Sequence, residues 1–310
     1  MELPQKVQEI LFEEINSIGL KDIKQTYQEI SNNYRQNKED KSINTQKGAL
    51  SYALGRMPAT YSVNKTVLSQ IDFLDNINLI SDYGAGCGAS SLALSEQFNG
   101  AIITAFEKQE YMRKLGEKLT QGTKITWQPF DMVKDTFNKA DLILASYSVN
   151  EIAKDSQEKV IEKLLNSTNK IAVFIEAGTP QGYQLILKIR NIAIKKGFNV
   201  LAPCKNNNKC PLDKNDWCAF KQRIKRSKYL SLIKSATLSY EDENYSYLIV
   251  CKDETLLNDA RVLRTPIIKP KLVSLKLCTK EGIKEIVVTK SQGEKYKAAK
   301  KLKSGDNFIL

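Results

Sequence analysis

The segment Leu79–Leu94, LISDYGAGCGASSLAL, constrains the fold of this chain more than any other. An apolar run reaches Asp82, three glycines follow at alternate positions (Gly84, Gly86 and Gly88), and a helix-forming stretch begins at once. Glycines at this spacing let the backbone turn tightly and come close to a ligand. The helix behind them presents free N–H groups at its start. A strand–loop–helix unit of this kind belongs at the carboxyl edge of an open parallel sheet, where ligands bind. The pattern alone also fits a nicotinamide-dinucleotide site, or a degenerate loop that binds nothing. Cys87, inside the loop, reads as a small buried residue in a tight turn rather than a metal ligand.

The surroundings extend this reading. Short apolar runs, NLISDYG, AIITAFE, KITWQPF, DLILASYS and KIAVFIEAG, alternate with the amphipathic stretches SSLALSEQF, YMRKLGEKL and SQEKVIEKLLNS. Strands alternating with helices predict a doubly wound α/β fold with a parallel sheet. A further helix is expected over 181–197, and two more strands in SATLSYE and YSYLIVCK. The second run ends in Glu107, 19 residues after Gly88, where a carboxylate can accept from both ribose hydroxyls. Asp131 follows the third run, placed to hold an adenine amino group. This succession resembles class I S-adenosylmethionine-dependent methyltransferases. Asp82, Gly84, Gly86, Gly88, Glu107, Asp131 and Ser146 are the expected cofactor-binding residues. The run Ser146–Glu151 contains no Asn/Asp-Pro-Pro-aromatic motif to grip an exocyclic amine. Asn150 and Glu151 could line the acceptor side or cap the next helix, and no catalytic residue can be assigned.

The predicted organisation has three parts. Residues 1–75 are a helical region, in which Arg56-Met57-Pro58 is read as a turn within a lid or docking element. Residues 76–255 form the methyltransferase-like domain, with a cysteine-rich insertion at 203–230. Residues 256–310 form a small β-rich extension, whose runs KLVSLKLCT and IKEIVVTK make a hairpin before a basic tail. The first residues carry Glu2, Glu9, Glu13 and Glu14 and no basic region before an apolar run, so a cytoplasmic protein is expected, a mitochondrial one less so.

The chain has six cysteines and no histidine, so a metal site here must use thiolates or carboxylates. Cys204, Cys210 and Cys218 lie in a loop-like stretch without a Cys-x-x-Cys knuckle. Three thiolates spread this way, with a fourth from elsewhere, suit an iron–sulfur cluster better than the tight knuckles of structural zinc, with zinc as the alternative. Cys251 sits in an apolar strand and reads as inert; Cys278 ends a strand before a turn and is the better fourth ligand.

A net charge of +12 favours a polyanionic partner. Arg223, Lys225, Arg226 and Lys228, beside Phe220 and Tyr229, form a candidate nucleic-acid contact, with a solvated helix face as the competing reading. Lys295, Lys297, Lys300, Lys301 and Lys303 offer a second possible phosphate-binding face.

Taken together, RMPATY at 56–61, DYGAGCGASS, ASYSVNE, EAGTPQG at 176–182, CPLDKNDWC, KSATLSYEDENYSYL, Arg264-Thr265-Pro266 and YKAAKKLKSGD resemble one family across roughly residues 50–308. It is that of the methyltransferase-like assembly proteins of the mitochondrial small ribosomal subunit and their bacterial relatives. The resemblance implies a class I methyltransferase fold, S-adenosylmethionine as ligand, a [4Fe-4S] cluster on Cys204, Cys210, Cys218 and Cys278, and small-subunit ribosomal RNA as partner. Two departures stand out: Cys87 replaces a proline common in the family's glycine loop, and histidines common near its cysteines are absent.

Overall fold

The computed structural model describes residues 2–36, 41–71, 76–204, 206–213, 215–253 and 260–309. The elements, in chain order, are α1 (Gln5–Ile18), α2 (Leu20–Arg35), α3 (Gln46–Leu68), β1 (Leu79–Tyr83), α4 (Ala89–Gln97), β2 (Ile102–Glu107), α5 (Glu110–Leu119), β3 (Ile125–Pro129), β4 (Ala140–Ser146), α6 (Lys154–Ser167), β5 (Thr168–Ala177), α7 (Pro180–Lys195), β6 (Asn199–Ala202), β7 (Phe220–Lys225), α8 (Lys228–Lys234), β8 (Tyr240–Cys251), β9 (Ala260–Val262), β10 (Ile267–Lys269), β11 (Leu272–Thr279), β12 (Gly282–Thr289), α9 (Glu294–Ala299) and β13 (Asn307–Phe308). Two compact units result, Met1–Thr168 with Gln222–Glu243, and Asn169–Lys221 with Asn244–Leu310. Of the boundaries expected from sequence, residue 75 and the 255/256 junction lie outside the described residues. Among the described residues no helix is long and apolar enough to cross a membrane.

In the first unit, parallel strands lie in the order β3-β2-β1-β4. The chain moves outward from β1 to β3, then returns to the other side of β1, so the order reverses between β1 and β4. That reversal creates a crevice at the carboxyl ends of these strands, the ligand position of a Rossmann-like fold. The expected class I, Rossmann-like α/β architecture is therefore present. Beneath the crevice, Tyr83 stacks on Phe106 with centroids 4.6 Å apart, and Phe130 and Phe137 close the aromatic group. The Tyr83 hydroxyl accepts from Asn138 N at 3.1 Å.

Three helices precede this sheet. Val7, Leu11 and Ile15 recur every fourth residue on α1 and are buried. Thr45 caps α3, accepting from Gly48 N at 3.0 Å. The turn expected at Arg56-Met57-Pro58 is not there: Pro58 lies inside α3, a helix buried along most of its length. Packing against α2, α4 and α5 outweighs the lost N–H bond and the local breaker signal. The residues Lys225–Tyr240, expected to supply a helix face and part of a separate strand, give the end of β7, then α8, then the start of one long strand. The two strands expected from SATLSYE and YSYLIVCK are the single β8, because YEDENYSYLIVC continues without a turn residue.

The second unit contains β5-β8-β6, with β8 antiparallel to both neighbours. Thr179 caps α7, accepting from Gly182 N at 3.1 Å, and Pro180 takes the first helical turn, where its missing N–H costs nothing. A second sheet runs β10-β11-β9-β13, with β12 pairing to β11 as the expected hairpin. Val262, Val273, Leu275, Leu277, Val288 and Phe308 form its core. The short β9, β10 and β13 carry no separate signal of their own in the residue pattern.

Trp127 of β3 lies against Gly116 of α5 and donates to Thr120 Oγ1 at 2.9 Å. A Cβ at Gly116 would overlap the indole ring. Helix propensity alone would make Gly116→Ala stabilising by about 1 kcal/mol; overpacking against Trp127 costs about 1–3 kcal/mol. The net expectation is a destabilised protein with a shifted tryptophan emission in urea titrations; a stabilised variant would show that the indole moves aside freely.

Candidate functional site

The glycine loop adopts the backbone its residues permit. Gly84, Gly86 and Gly88 have φ of +76°, +58° and +88°, a region other residues enter at a cost. Gly84 N and Ala85 N donate to Phe106 O at 2.8 and 3.1 Å, tying the loop to β2. A Cβ at Gly84 would overlap the side chain of Ser148. Ser148 in turn donates to Tyr83 O at 2.9 Å, so the turn after β4 is fastened onto the end of β1.

These elements enclose a cavity of about 460 Å³. Of the residues expected to bind a cofactor, Gly84, Gly86, Glu107, Asp131 and Ser146 line it; Asp82 and Gly88 do not. Glu107 accepts from Gly86 N at 2.9 Å and from Gln109 N at 2.7 Å, which fixes its carboxylate at the cavity wall with lone pairs to spare. Asp131 accepts from Val133 N at 2.9 Å and pairs with Lys108 at 3.0 Å, which holds its carboxyl below the usual range. Ser146 Oγ accepts from Asn64 Nδ2 of α3 at 2.9 Å.

Asp82 is fully buried and faces the start of α4. One oxygen accepts from Ser90 Oγ at 2.6 Å and Ser91 Oγ at 2.5 Å; the other has no partner among the described residues. Burial pushes its carboxyl up to about 6, against the opposing pull of the two serines. Asp82 therefore braces the loop and does not face the cavity. Burial of Cys87 beside Met112 pushes its thiol up, as suits an inert packing residue.

Helix α3 contributes residues that the sequence reading missed as site residues: Tyr52, Met57 and Thr60 line the cavity, and Asn64 reaches it through Ser146. Arg56 makes a two-pronged pair with Glu243 at 2.8 and 3.1 Å. Glu151, on a short 3₁₀ turn after β4, also lines the cavity, where desolvation at the cavity wall and the neighbouring Glu107 charge push its carboxyl up.

In the second unit, Cys204, Cys210, Cys218 and Cys278 line one small cavity together with Tyr183 and Arg190. Cys251 is elsewhere, buried on β8. The Tyr183 hydroxyl is 3.3 Å from Cys210 Sγ. Burial, then the neighbouring thiols, push Cys218 and Cys278 up, while burial raises Cys204 against the pull of Arg190. Arg190 is 3% exposed. It donates to Asn206 O and Asn208 O at 2.9 and 2.7 Å and has no carboxylate partner among the described residues. Among the described residues, no group of three or more His, Cys, Asp and Glu is placed to hold a metal ion.

The candidate nucleic-acid residues separate by environment. Lys225 and Lys228 are exposed, Lys225 pairing with Glu2 at 2.9 Å. Arg223 pairs with Asp242 and lies 4.1 Å from the centre of the Tyr240 ring. Arg226 is turned inward, sharing Glu241 with Lys234, and serves the fold.

Because Asp82 binds its proton more tightly when folded, its contribution to stability falls as pH rises from about 4 to about 6. Asp82→Asn is expected to flatten the decline in Tm across that window relative to the natural protein. Parallel Tm–pH curves would show that Asp82 titrates like an exposed carboxyl.

The family model described as mitochondrial small ribosomal subunit Rsm22 matches residues 46–309. The human mitochondrial ribosome assembly protein METTL17 is 23% identical over 228 residues, 66% of this chain and 48% of that protein, so the chain spans about half the length of this relative. Among solved structures, a putative RNA methyltransferase from Pyrococcus horikoshii aligns at 16% identity and a TM-score of 0.43, over 61% of this chain and 81% of that one. Magnesium protoporphyrin IX methyltransferase from Synechocystis, solved with bound S-adenosylmethionine, aligns at 15% identity and 0.42, over 82% and 100%.

Proposed function

The chain belongs to the mitochondrial small ribosomal subunit Rsm22 family, and from that premise we propose that it is an S-adenosylmethionine-binding, methyltransferase-like protein of small-subunit assembly, with small-subunit ribosomal RNA as partner. The observation that carries the cofactor reading is the cavity at the switch point, bounded by a positive-φ glycine loop, with Glu107 fixed on its wall. Glu107 would take the ribose hydroxyls and Asp131 the adenine side. Gly84 and Gly86 would lie along the methionine portion, near Ser146.

Charge favours this reading over a nicotinamide dinucleotide. Glu107, Asp131 and Glu151 line the cavity, and Lys108, bound to Asp131, is the lining cation. The Gly86 N–H that a pyrophosphate would seek already donates to Glu107. Bound there, S-adenosylmethionine supplies an activated methyl group on a sulfonium. Whether that group is passed to RNA is a separate matter. The Ser146–Glu151 turn carries no Asn/Asp-Pro-Pro-aromatic motif to grip an exocyclic amine, which favours an assembly factor that binds cofactor and RNA without transferring the methyl group.

Cys204, Cys210, Cys218 and Cys278 would hold the [4Fe-4S] cluster that the family resemblance implies. The donor set supports this, and so does Arg190, a buried cation with no carboxylate, which thiolate charge would neutralise. The cavity is only about 30 Å³, so seating a cluster requires the cysteine loop to open around it. A single zinc ion, the alternative site occupant, has less support, since no set of ligands converges on one point among the described residues. Exposed Arg223, Lys225 and Lys228 are the proposed RNA-facing cations.

Calorimetric titration with S-adenosylmethionine is expected to give one site per chain, and Gly84→Ala to abolish it through the strained φ and the clash with Ser148. An unchanged affinity in Gly84→Ala would remove the cavity from the cofactor reading. Anaerobic purification is expected to yield iron with matching sulfide, lost in Cys278→Ser and kept in Cys251→Ser; stoichiometric zinc or no metal would sink the cluster. Labelled cofactor incubated with immature small-subunit particles is expected to leave no methyl group on RNA, and stoichiometric transfer would make the protein an enzyme.

A further inference from the structure

Three carboxylates line the cofactor cavity, and two are already engaged. Glu107 accepts from two backbone amides, and Asp131 from one amide and Lys108. Glu151 has no hydrogen bond or ion pair among the described residues. Among the described residues, the cations nearest the cavity are committed elsewhere, Lys108 to Asp131 and Arg56 to both oxygens of Glu243. A carboxylate in a cavity without a counter-ion raises the question of what cation completes it.

The position of Glu151 is fixed. It ends the 3₁₀ turn Val149–Glu151, whose Val149 is fully buried and whose carbonyl accepts from Ile152 N at 3.2 Å. Tyr147 enters the turn at φ +56°, an uncommon conformation for a side chain of that size. Ser148 fastens the turn to Tyr83 and fills the space where Gly84 would carry a Cβ. Glu151 thus belongs to a segment held by β1 and β4, and it lines the cavity. In the S-adenosylmethionine reading, on which this inference rests, the methionine portion lies along Gly84 and Ser146, and Glu151 ends the turn that joins these two.

We propose that Glu151 is the residue that reads the sulfonium charge, so that the cavity retains the charged methyl donor in preference to the uncharged thioether left after methyl loss. Desolvation at the cavity wall and the Glu107 charge raise its carboxyl; a sulfonium beside it favours the ionised form. S-adenosylmethionine and S-adenosylhomocysteine share adenine, ribose, ammonium and carboxylate, and differ in charge at the sulfur. They differ also by the methyl group itself, and of these two differences the charge is the one a carboxylate responds to. A protein that acts by holding its cofactor gains from this preference, because the spent form does not compete for the cavity.

The test is calorimetric affinity for S-adenosylmethionine, S-adenosylhomocysteine and sinefungin, whose amine places a cation near the same point, in the natural protein, Glu151→Gln and Glu151→Ala. Both variants should weaken S-adenosylmethionine and sinefungin by about tenfold while S-adenosylhomocysteine changes by less than about twofold. Equal losses for all three ligands would overturn the proposal, since Glu151 would then serve a shared group or merely hold the turn. No change in any affinity would overturn it as well. If the natural protein binds none of the three, the cofactor reading itself has failed. If the natural protein binds both cofactor forms and the variants keep its preference, only the role of Glu151 has failed. Unchanged Tm in Glu151→Gln shows that the turn is intact.

Discussion

Gly84 and Ser148 share a space that admits one side chain, and the cavity depends on which residue supplies it. The backbone of β1 leaves the sheet at Gly84 with φ +76°, and the turn after β4 comes in over it, Ser148 donating to Tyr83 O. A side chain at 84 would force the two crossings apart and separate the glycine loop from Ser146, Tyr147 and Glu151. Because β1 and β4 flank the reversal of strand order, this contact sets the width of the crevice where a ligand is received. Asp82 reinforces the same corner from below, gripping two serines of α4 whose hydrogen bonds oppose the upward push of burial on its carboxyl.

The electrostatics of this corner run against those of the whole chain. The protein carries a net charge of +12, yet its cavity is lined by three carboxylates and one lysine that is already paired. Excess positive charge on the outside and negative charge in the crevice are suited to different ligands: a polyanion over the surface, a small cation within. The first suits RNA and the second a sulfonium nucleoside. A phosphate-rich dinucleotide would meet repulsion there, beside a Gly86 amide already given to Glu107.

Legibility followed the range of the forces involved. Strands β1 to β5 and the glycine loop could be read from sequence because apolar runs and glycine conformations obey short-range rules. Glu107 and Asp131 line the cavity because their place is set by strand ends. For Asp82 the same logic does not extend to the cavity: a strand-end acid near a glycine loop invites a ligand role, and only the structure shows Ser90 and Ser91 claiming it. Helix α3 was misread at Pro58 because it is buried along most of its length and so has no polar face to give it a period; its breaker residue was then the strongest local signal. Its contribution of Tyr52, Met57, Thr60 and Asn64 to the cavity is a long-range packing outcome with no local signature. Arg226 looked like its neighbours in the basic run, and only the partner Glu241 across the β7–β8 pairing separates it from Lys225 and Lys228.

Arg190 poses the converse problem in the second unit. Nothing in QGYQLILKIRNIAIKKG distinguishes it from Lys188 or Lys195, yet it is the one drawn to 3% exposure beside four cysteines. Two backbone carbonyls accept from one terminal nitrogen, while Nε has no partner among the described residues, and neither carbonyl compensates the charge. An isolated buried guanidinium is costly, and it cannot shed its proton as a lysine can. Neutral thiols do nothing to offset that cost, whereas thiolates would, and Cys218 and Cys278 do not ionise readily unaided, because burial and the neighbouring thiols oppose it. A bound metal cluster would remove both difficulties together: it would ionise its ligands and leave a net negative site for Arg190 to face. The buried arginine is the costly member of the group, and its need for thiolate charge is the physical ground for reading it and the cysteines as one site.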